Sequence, residues 1–391
     1  MKFKPAIASL SVTFAQAFSQ FVLLITIAKY FSTENVGEYS FVNAIILPIT
    51  VFFSCGLRQA YVVNANDYGF KTFVNLRILG LISSFLLGSL VIALLNIELF
   101  YVYSMAFIVR SVIMFMELMV AVLQIQEKLL RISISQLIRY ILTTLIFIVA
   151  SHFTDDFEFS LFIFAISNVL LLVLLECRIF YRCWKNDVET IELLSAANKF
   201  FVLGIANFTN SIQSNSSRFL LGILGSSYLL GLFSISYQIY NMSALVFTSA
   251  SNFYLKSNKR NPEVYSTMHL KVPFLICFIY SLILGVGWFL FGDIFINVFL
   301  TKDYSVISDW IYILLFFLFI RNLGYVFNWK LIGDAKYKLI AKYNTASLII
   351  TIIGNFILIH HFQFSGANYS LGLTSIVYLV FMVYAFKSKK I

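Results

Sequence analysis

The sequence predicts an all-α integral membrane protein, with twelve transmembrane helices in two pseudo-symmetric six-helix bundles around a central cleft. First, 60% of its 391 residues are hydrophobic and 12% are charged, with a mean hydropathy of +0.88, unlike a soluble domain. Second, uncharged runs recur at near-regular intervals, each long enough to cross ~30 Å of hydrocarbon as a helix. Third, a faint internal repeat has an offset of 194 residues, almost half of the chain.

Six predicted spans lie in each half of the chain. Those of the first half cover about 5–30, 36–63, 76–96, 100–123, 134–152 and 159–182. Those of the second half cover about 198–223, 228–254, 271–296, 306–328, 342–361 and 367–386. The runs are too long for a β-barrel and lack its two-residue alternation.

The even number of spans per half determines the symmetry and the domains. The second half starts on the same side of the membrane as the first, so the halves are related by a pseudo-two-fold axis along the membrane normal. We expect a six-helix bundle over 1–182, a cytoplasmic linker over 183–197 and a second bundle over 198–391. One chain then contains a whole cleft, so a functional monomer is expected.

The basic residues that give the chain its net charge of +10 concentrate in alternate loops of the predicted topology. Lysine and arginine concentrate in or near the loops of one side, including Lys71, Arg77 and Lys128, whereas Lys29 and Lys302 are the basic residues near the loops of the other. Because positive loops stay in the cytoplasm, both termini are predicted to be cytoplasmic. Basic residues in short, separated loops do not form the continuous patch of a nucleic-acid-binding protein.

Polar side chains follow one face of the seventh and eighth spans. In the seventh span, Asn207, Ser211, Ser214 and Arg218 recur at helical spacing, and the eighth carries a similar row through Tyr237 and Asn241. The first span repeats the pattern weakly, since its glutamines lie 194 residues before Asn210 and Ser214. Two such helix pairs facing one another would enclose a wet cleft. Its predicted polar lining is Gln16, Gln20, Asn207, Asn210, Ser214, Tyr237 and Asn241.

Five arginines lie within the predicted spans. Arg110 and Arg321 lie near the middle of equivalent spans, the fourth and the tenth, and Arg218 lies toward the outer end of the seventh. An arginine facing lipid costs at least ~2.5–3.5 kcal/mol, so these three are expected to face protein or water. Arg58 and Arg139 lie nearer the cytoplasmic ends of their spans and could reach the membrane surface, as we expect for Arg139.

Two carboxylates, Glu117 and Glu176, share this depth. Glu117 follows Arg110 by seven residues on the same helix face, so it either forms a structural pair with Arg110 or binds a coupling proton or sodium ion. The arginines outnumber the acids, which indicates an anionic ligand. The forked donors of arginine suit phosphate oxygens, and Arg218, Arg321, Arg110 and Arg58 are therefore candidate contacts.

Catalytic and metal motifs are missing from the sequence. The four histidines have no metal-ligand spacing, the four cysteines are scattered, and there is no Walker loop, G-x-S-x-G or H-E-x-x-H. The predicted outward loops are too short for a soluble domain, which argues against a membrane glycosyltransferase or ligase. We expect a protein that is not an enzyme and that needs no metal or cofactor.

Three segments together carry a family resemblance. They are Arg218-Phe-Leu-Leu-Gly222 with Gly231-Leu-Phe-Ser234, Gly37-Glu-Tyr-Ser40, and Gly366-Ala367 before the last span. The chain resembles Wzx-type polysaccharide flippases of the multidrug/oligosaccharidyl-lipid/polysaccharide exporter superfamily. It departs from them at Ser217, where an acid often precedes the arginine.

The resemblance implies a substrate and a location. Such proteins move undecaprenyl-diphosphate-linked oligosaccharides, the repeats of O-antigen (lipopolysaccharide) or capsule, across the bacterial cytoplasmic (inner) membrane. It also implies contact with membrane lipids and other polysaccharide-assembly proteins. The alternatives are a multidrug exporter of the same architecture and a membrane-embedded glycosyltransferase or ligase.

Overall fold

The computed structural model describes residues 3–64, 68–126, 128–185, 193–258, 271–333 and 337–388, and these are helical apart from short turns. The α-helices are α1 (Phe3–Tyr30), α2 (Thr33–Phe53), α3 (Leu57–Asn64), α4 (Phe70–Leu95), α5 (Phe100–Ile125), α6 (Leu129–Phe153), α7 (Phe157–Lys185), α8 (Leu193–Leu224), α9 (Ser227–Asn258), α10 (Lys271–Phe299), α11 (Ile307–Gly333) and α12 (Tyr337–Ser388). Every predicted span coincides with helix, which confirms the predicted all-α fold.

The backbone differs from the predicted spans at two places. The second span is divided into α2 and α3 at residues 54–56, where Cys55 and Gly56 both have positive φ angles, of 48° and 59°. Left-handed backbone cannot continue a right-handed helix, so the chain turns there. The last two spans are joined in α12, whose helical geometry breaks at Gln363 (φ 46°, ψ −115°).

The protein is a multi-pass membrane protein. In the part of the chain that is described, eight helical segments are long and apolar enough to cross a membrane. The longest, Lys342–Ser388, contains both of the last two predicted spans. α10 exposes large apolar side chains such as Leu282, Phe289 and Phe291 along its length, as expected of a helix that faces lipid.

The helices form two compact units. Unit 1 comprises Met1–Ser19 and Glu38–Asn215, and unit 2 comprises Gln20–Gly37 and Ser216–Ile391. α1, α2 and α8 therefore each contribute to both units. The boundaries of these units differ from those of the predicted bundles, 1–182 and 198–391, which stay a prediction. Residues 186–192 of the predicted linker lie outside the described residues.

The core of unit 1 lies where α3, α4, α5, α7 and α8 meet. Phe73 of α4 is fully buried, with its ring centroid 4.9 Å from that of Tyr61 and 5.5 Å from that of Phe200. Leu118 of α5 and Ile179 of α7 complete this cluster. The aromatic packing of α4 against α3 and α8 brings the first turns of α4 into the protein interior.

In unit 2, α11 packs against α9, α10 and α12. Neutral polar contacts join α8 to α12: Asn355 Nδ2 donates to Ser216 Oγ at 2.9 Å and to Ser217 Oγ at 3.4 Å. The hydroxyls of Ser217 and Ser370 lie 2.6 Å apart. Asn355 is fully buried, so these hydrogen bonds form away from both water and lipid.

Replacing Asn355 with alanine is expected to lower the free energy of unfolding by about 0.6–2 kcal/mol, the range for hydrogen bonds between membrane helices. Thermal unfolding of the purified protein in detergent measures the change. Asn210→Ala is the control, because Asn210 is exposed. Equal melting temperatures for the two variants would contradict the stabilising role of these contacts.

Candidate anion-binding site

Arg321 is the centre of a cluster in unit 2. From α11, its Nη1 donates to Asn241 Oδ1 of α9 at 3.1 Å. Its Nε and Nη2 donate to the hydroxyl of Tyr325, one turn further along α11, at 3.3 and 3.1 Å. The guanidinium carbon also lies 5.1 Å from the centroid of the Tyr240 ring. An amide and two phenols therefore hold the arginine in one orientation.

The charge of Arg321 is not neutralised by these partners. Asn241 is an amide and Tyr240 and Tyr325 are phenols, so none of them is a carboxylate, and in the described residues no carboxylate lies within 4 Å of Arg321. A guanidinium in a membrane helix retains its charge, and aromatic faces stabilise it without cancelling it. Arg321 is partly exposed, so part of its surface is not covered by protein.

Arg218 stacks on the neighbouring helix of the same unit. It is 9% exposed on α8, and its guanidinium carbon lies 4.4 Å from the centroid of the Tyr237 ring on α9. The short turn between α8 and α9 makes the two helices neighbours, so residues near their facing ends meet. Arg218, Tyr237, Tyr240, Asn241, Arg321 and Tyr325 are called the C-terminal arginine cluster below.

A second cluster lies in unit 1, and its ion pair differs from the Arg110–Glu117 pair that the sequence suggested. Glu117 Oε2 is 3.9 Å from Arg77 Nη2 of α4, so the ion pair of Glu117 is with Arg77 and not with Arg110. Arg110 instead donates from Nε to Thr50 Oγ1 of α2 at 3.3 Å. Thr50, Arg77, Arg110 and Glu117 are called the N-terminal arginine cluster. The role of Glu117 in ion coupling stays a prediction.

Arg77 was not among the sequence-predicted site residues, because it was assigned to the region of a cytoplasmic loop. α4 begins at Phe70, before the predicted start at 76, so Arg77 lies about 10 Å inside the helix. It is 1% exposed. The aromatic residues that bury the first turns of α4 were the signal in the sequence that could have indicated this position.

Arg139 does not reach the membrane surface, and that expectation was wrong. It is fully buried, donates from Nη1 to Asn168 Oδ1 of α7 at 3.3 Å, and lies 4.6 Å from the centroid of the Tyr140 ring. Glu176 of α7 is buried close by and accepts a hydrogen bond from Ser135. α7 supplies polar partners at the depth of Arg139, so the side chain does not need to extend to water.

The other predicted binding residues are distributed over both units. Arg58 is exposed on α3, and Gln20 and Asn210 are also exposed. Gln16, Asn207 and Ser214 are half-buried, and Ser214 Oγ donates to the carbonyl of Ser211 at 3.0 Å. Their roles in binding stay predictions. Among the described residues, no group of three or more His, Cys, Asp or Glu side chains is arranged to hold a metal ion.

Comparison with known proteins identifies the architecture. No protein-family model matches the chain. The solved structure of the lipid II flippase MurJ in an inward closed conformation superimposes with a TM-score of 0.77, at 13% identity, over 97% of this chain and 87% of that one. The fold is that of MurJ. An inward-facing multidrug resistance MATE transporter of the MOP superfamily gives a TM-score of 0.64, at 14% identity, over 98% of this chain and 97% of that one.

One curated relative is similar over nearly its whole length. The capsular polysaccharide biosynthesis protein CapF of Staphylococcus aureus is 23% identical over 384 residues, which cover 95% of this chain and 96% of CapF. The MurJ-like fold extends over the helices that carry both arginine clusters. At this level of identity the likeness to MurJ and MATE is one of fold, so the chemistry of the clusters must be inferred from their own residues.

Proposed function

We propose that this protein is a Wzx-type flippase. It translocates undecaprenyl-diphosphate-linked oligosaccharide units, such as O-antigen or capsule repeats, across the bacterial cytoplasmic membrane by alternating access. The observation that carries the proposal is Arg321, a cation inside a membrane helix that neutral groups orient and no described carboxylate neutralises. The fold of MurJ and the similarity to CapF support the same class of substrate.

The C-terminal arginine cluster suits a diphosphate. Phosphate oxygens accept charge-assisted hydrogen bonds from the forked guanidinium, and these are about twice as strong as bonds between neutral groups. Asn241 and Tyr325 fix the side chain before the ligand arrives, which reduces the entropy lost on binding. Amide and phenol groups beside the arginines would bind sugar hydroxyls, while the polyprenyl chain stays in the bilayer.

No covalent step is required of such a protein, and the proposed activity is transport by a monomer rather than catalysis. The distribution of basic residues between loops supports termini in the cytoplasm. On that topology, the turns that lead into α2 and α9 lie on the outer side of the membrane.

Two glycines at the starts of α2 and α9 support alternating access. A Cβ atom at Gly37 would lie 1.9 Å from the carbonyl oxygen of Ser227, and one at Gly231 would lie 2.0 Å from that of Thr33. The two contacts are related by the 194-residue repeat, because Thr33 corresponds to Ser227 and Gly37 to Gly231. This symmetric close approach is a suitable outer gate, which would separate when the protein opens outward.

A multidrug exporter is the second candidate, because MATE transporters share the fold. Cationic drugs would be repelled by Arg321, which ranks this candidate below the flippase. Among the residues that the structure describes, none forms an arrangement that favours a membrane-embedded glycosyltransferase or ligase.

Reconstituted transport separates these candidates. Proteoliposomes would be loaded with a fluorescent short-chain polyprenyl-diphosphate oligosaccharide, its monophosphate analogue or a cationic dye. We expect protein-dependent flipping of the diphosphate, slower flipping of the monophosphate and no transport of the dye. Transport of the dye with no movement of either lipid would overturn the proposal in favour of the exporter.

A further inference from the structure

The guanidinium of Arg77 is buried with few partners. Its Nε and Nη1 atoms find no hydrogen-bond acceptor among the described residues, and Nη2 is 3.9 Å from Glu117, beyond hydrogen-bond distance. Removing a charged group from water is costly unless its donors are satisfied. Buried donors without partners are rare in native proteins and call for an explanation. The ion pair with Glu117 is too loose to be the whole explanation.

The surroundings of Arg77 carry an excess of positive charge. Arg110 is near enough to repel Arg77, and Glu117 is the carboxylate that attracts Arg77. Glu117 is 36% exposed, whereas Arg77 is 1% exposed, so the carboxylate is the accessible partner of the ion pair. An anion with two charges and several oxygens would neutralise both arginines more completely than one carboxylate does.

Arg77 and Glu117 lie near the helix ends at which the headgroup of a lipid from the cytoplasmic leaflet would enter. Arg77 lies about 10 Å from the start of α4, and Glu117 lies about 12 Å from the end of α5 at Ile125. On the proposed topology these helix ends are cytoplasmic. Arg110 precedes Glu117 by seven residues and so lies about 10 Å deeper along α5.

We propose that Arg77 and Glu117 form an exchangeable ion pair, in which the diphosphate of the lipid-linked substrate displaces Glu117 and is held by Arg77 and Arg110. Unit 1 would thus have a loading subsite for a lipid diphosphate at the level of the cytoplasmic leaflet. When no substrate is bound, the Glu117 carboxylate pairs with Arg77. It therefore competes with the diphosphate for the guanidinium. The inference rests on the proposed function and adds a residue, a location and an exchange step to it.

The test measures binding of farnesyl diphosphate to the purified full-length chain in detergent, with farnesol and inorganic pyrophosphate as parallel probes. Arg77→Gln is expected to raise the Kd for farnesyl diphosphate about tenfold or more, because a charge-assisted contact is lost. Glu117→Gln is expected to lower the Kd several-fold, because a competing carboxylate is removed. Binding of pyrophosphate as tight as that of farnesyl diphosphate would assign the subsite to a free phosphate compound rather than a lipid headgroup, and would overturn the proposal.

A purely structural ion pair predicts a different pattern. In that case Arg77→Gln and Glu117→Gln would both lower the melting temperature and leave the Kd unchanged. The charge-swapped variant Arg77→Glu with Glu117→Arg would then behave like the wild type. If Arg77 binds the anion, the swap restores stability but not affinity. Should Arg77→Gln fail to fold, Glu117→Gln decides by itself, since an unchanged or weaker affinity there overturns the exchange.

Arg321→Gln separates failure of this inference from failure of the proposed function. If Arg321→Gln weakens binding of farnesyl diphosphate and Arg77→Gln does not, the loading subsite is wrong and the flippase proposal stands. If the wild-type protein does not bind the probe, both are wrong.

Discussion

Replacing Arg321 with alanine is expected to slow the flipping of a polyprenyl-diphosphate-linked oligosaccharide by about 10–100-fold. The substitution removes a preorganised guanidinium, and hydrogen bonds to charged groups contribute about 1.5–3 kcal/mol, where each 1.4 kcal/mol is a factor of ten. The double variant Arg218→Ala with Arg321→Ala is expected to abolish transport, because both cations of the C-terminal arginine cluster are then lost. The initial rate of flipping in proteoliposomes and the amount of surface polysaccharide in cells measure these effects.

Arg321→Lys tests whether geometry matters in addition to charge. Lysine keeps the positive charge but lacks the fork that binds Asn241 and Tyr325 at the same time, so an intermediate rate is expected. Arg178→Ala is the control, because Arg178 is exposed on α7 and its loss is expected to leave the rate unchanged. Membrane levels of each variant are compared by immunoblot. Wild-type rates in the single alanine variants of Arg110, Arg218 and Arg321 would contradict the proposed role of the arginines.

Valine at Gly231 is expected to prevent close approach at the outer gate. The first carbon of the side chain would lie 2.0 Å from the carbonyl oxygen of Thr33, far inside contact distance, and this oxygen belongs to the backbone. Overpacking of this kind costs about 1–3 kcal/mol, enough to shift an equilibrium between two conformations by about 5–150-fold. We expect a lower melting temperature, a reduced rate of flipping and a protein that favours the outward-open state.

Thiol labelling measures that shift. Thr33 is 4% exposed, so in a variant without the four native cysteines, Thr33→Cys should react slowly with a membrane-impermeant reagent added outside. Adding Gly231→Val should accelerate the reaction. Gly37→Val should have a matching effect on stability and transport, because its contact with Ser227 is the repeat-related equivalent.

The control for the gate is a glycine with open space around it. A Cβ atom at Gly285 of α10 would meet no atom within 4 Å, so Gly285→Val is expected to change neither labelling nor transport. If Gly37→Val and Gly231→Val behaved like Gly285→Val, the close approach would have no part in gating.

The sequence by itself determined the membrane class, the helices and their approximate ends. These properties depend on local quantities, namely the length of uncharged runs and the cost of placing a charge in hydrocarbon, and they can be summed along the chain. For the same reason the sequence predicted that Arg218 and Arg321 would face protein or water, and both contact tyrosine side chains. It also aligned Gly37 with Gly231, although it did not indicate what either glycine touches.

Only the tertiary structure decided which charged groups meet. Arg110 and Glu117 share one helix face, yet the ion pair forms between Glu117 and Arg77 on another helix. Arg139 was expected at the surface but is buried and donates a hydrogen bond to Asn168 of α7. Periodicity within one helix gives the direction of a side chain relative to that helix alone. The partner across an interface depends on the rotation and register of the neighbouring helix, which are set by the packing of many apolar side chains together.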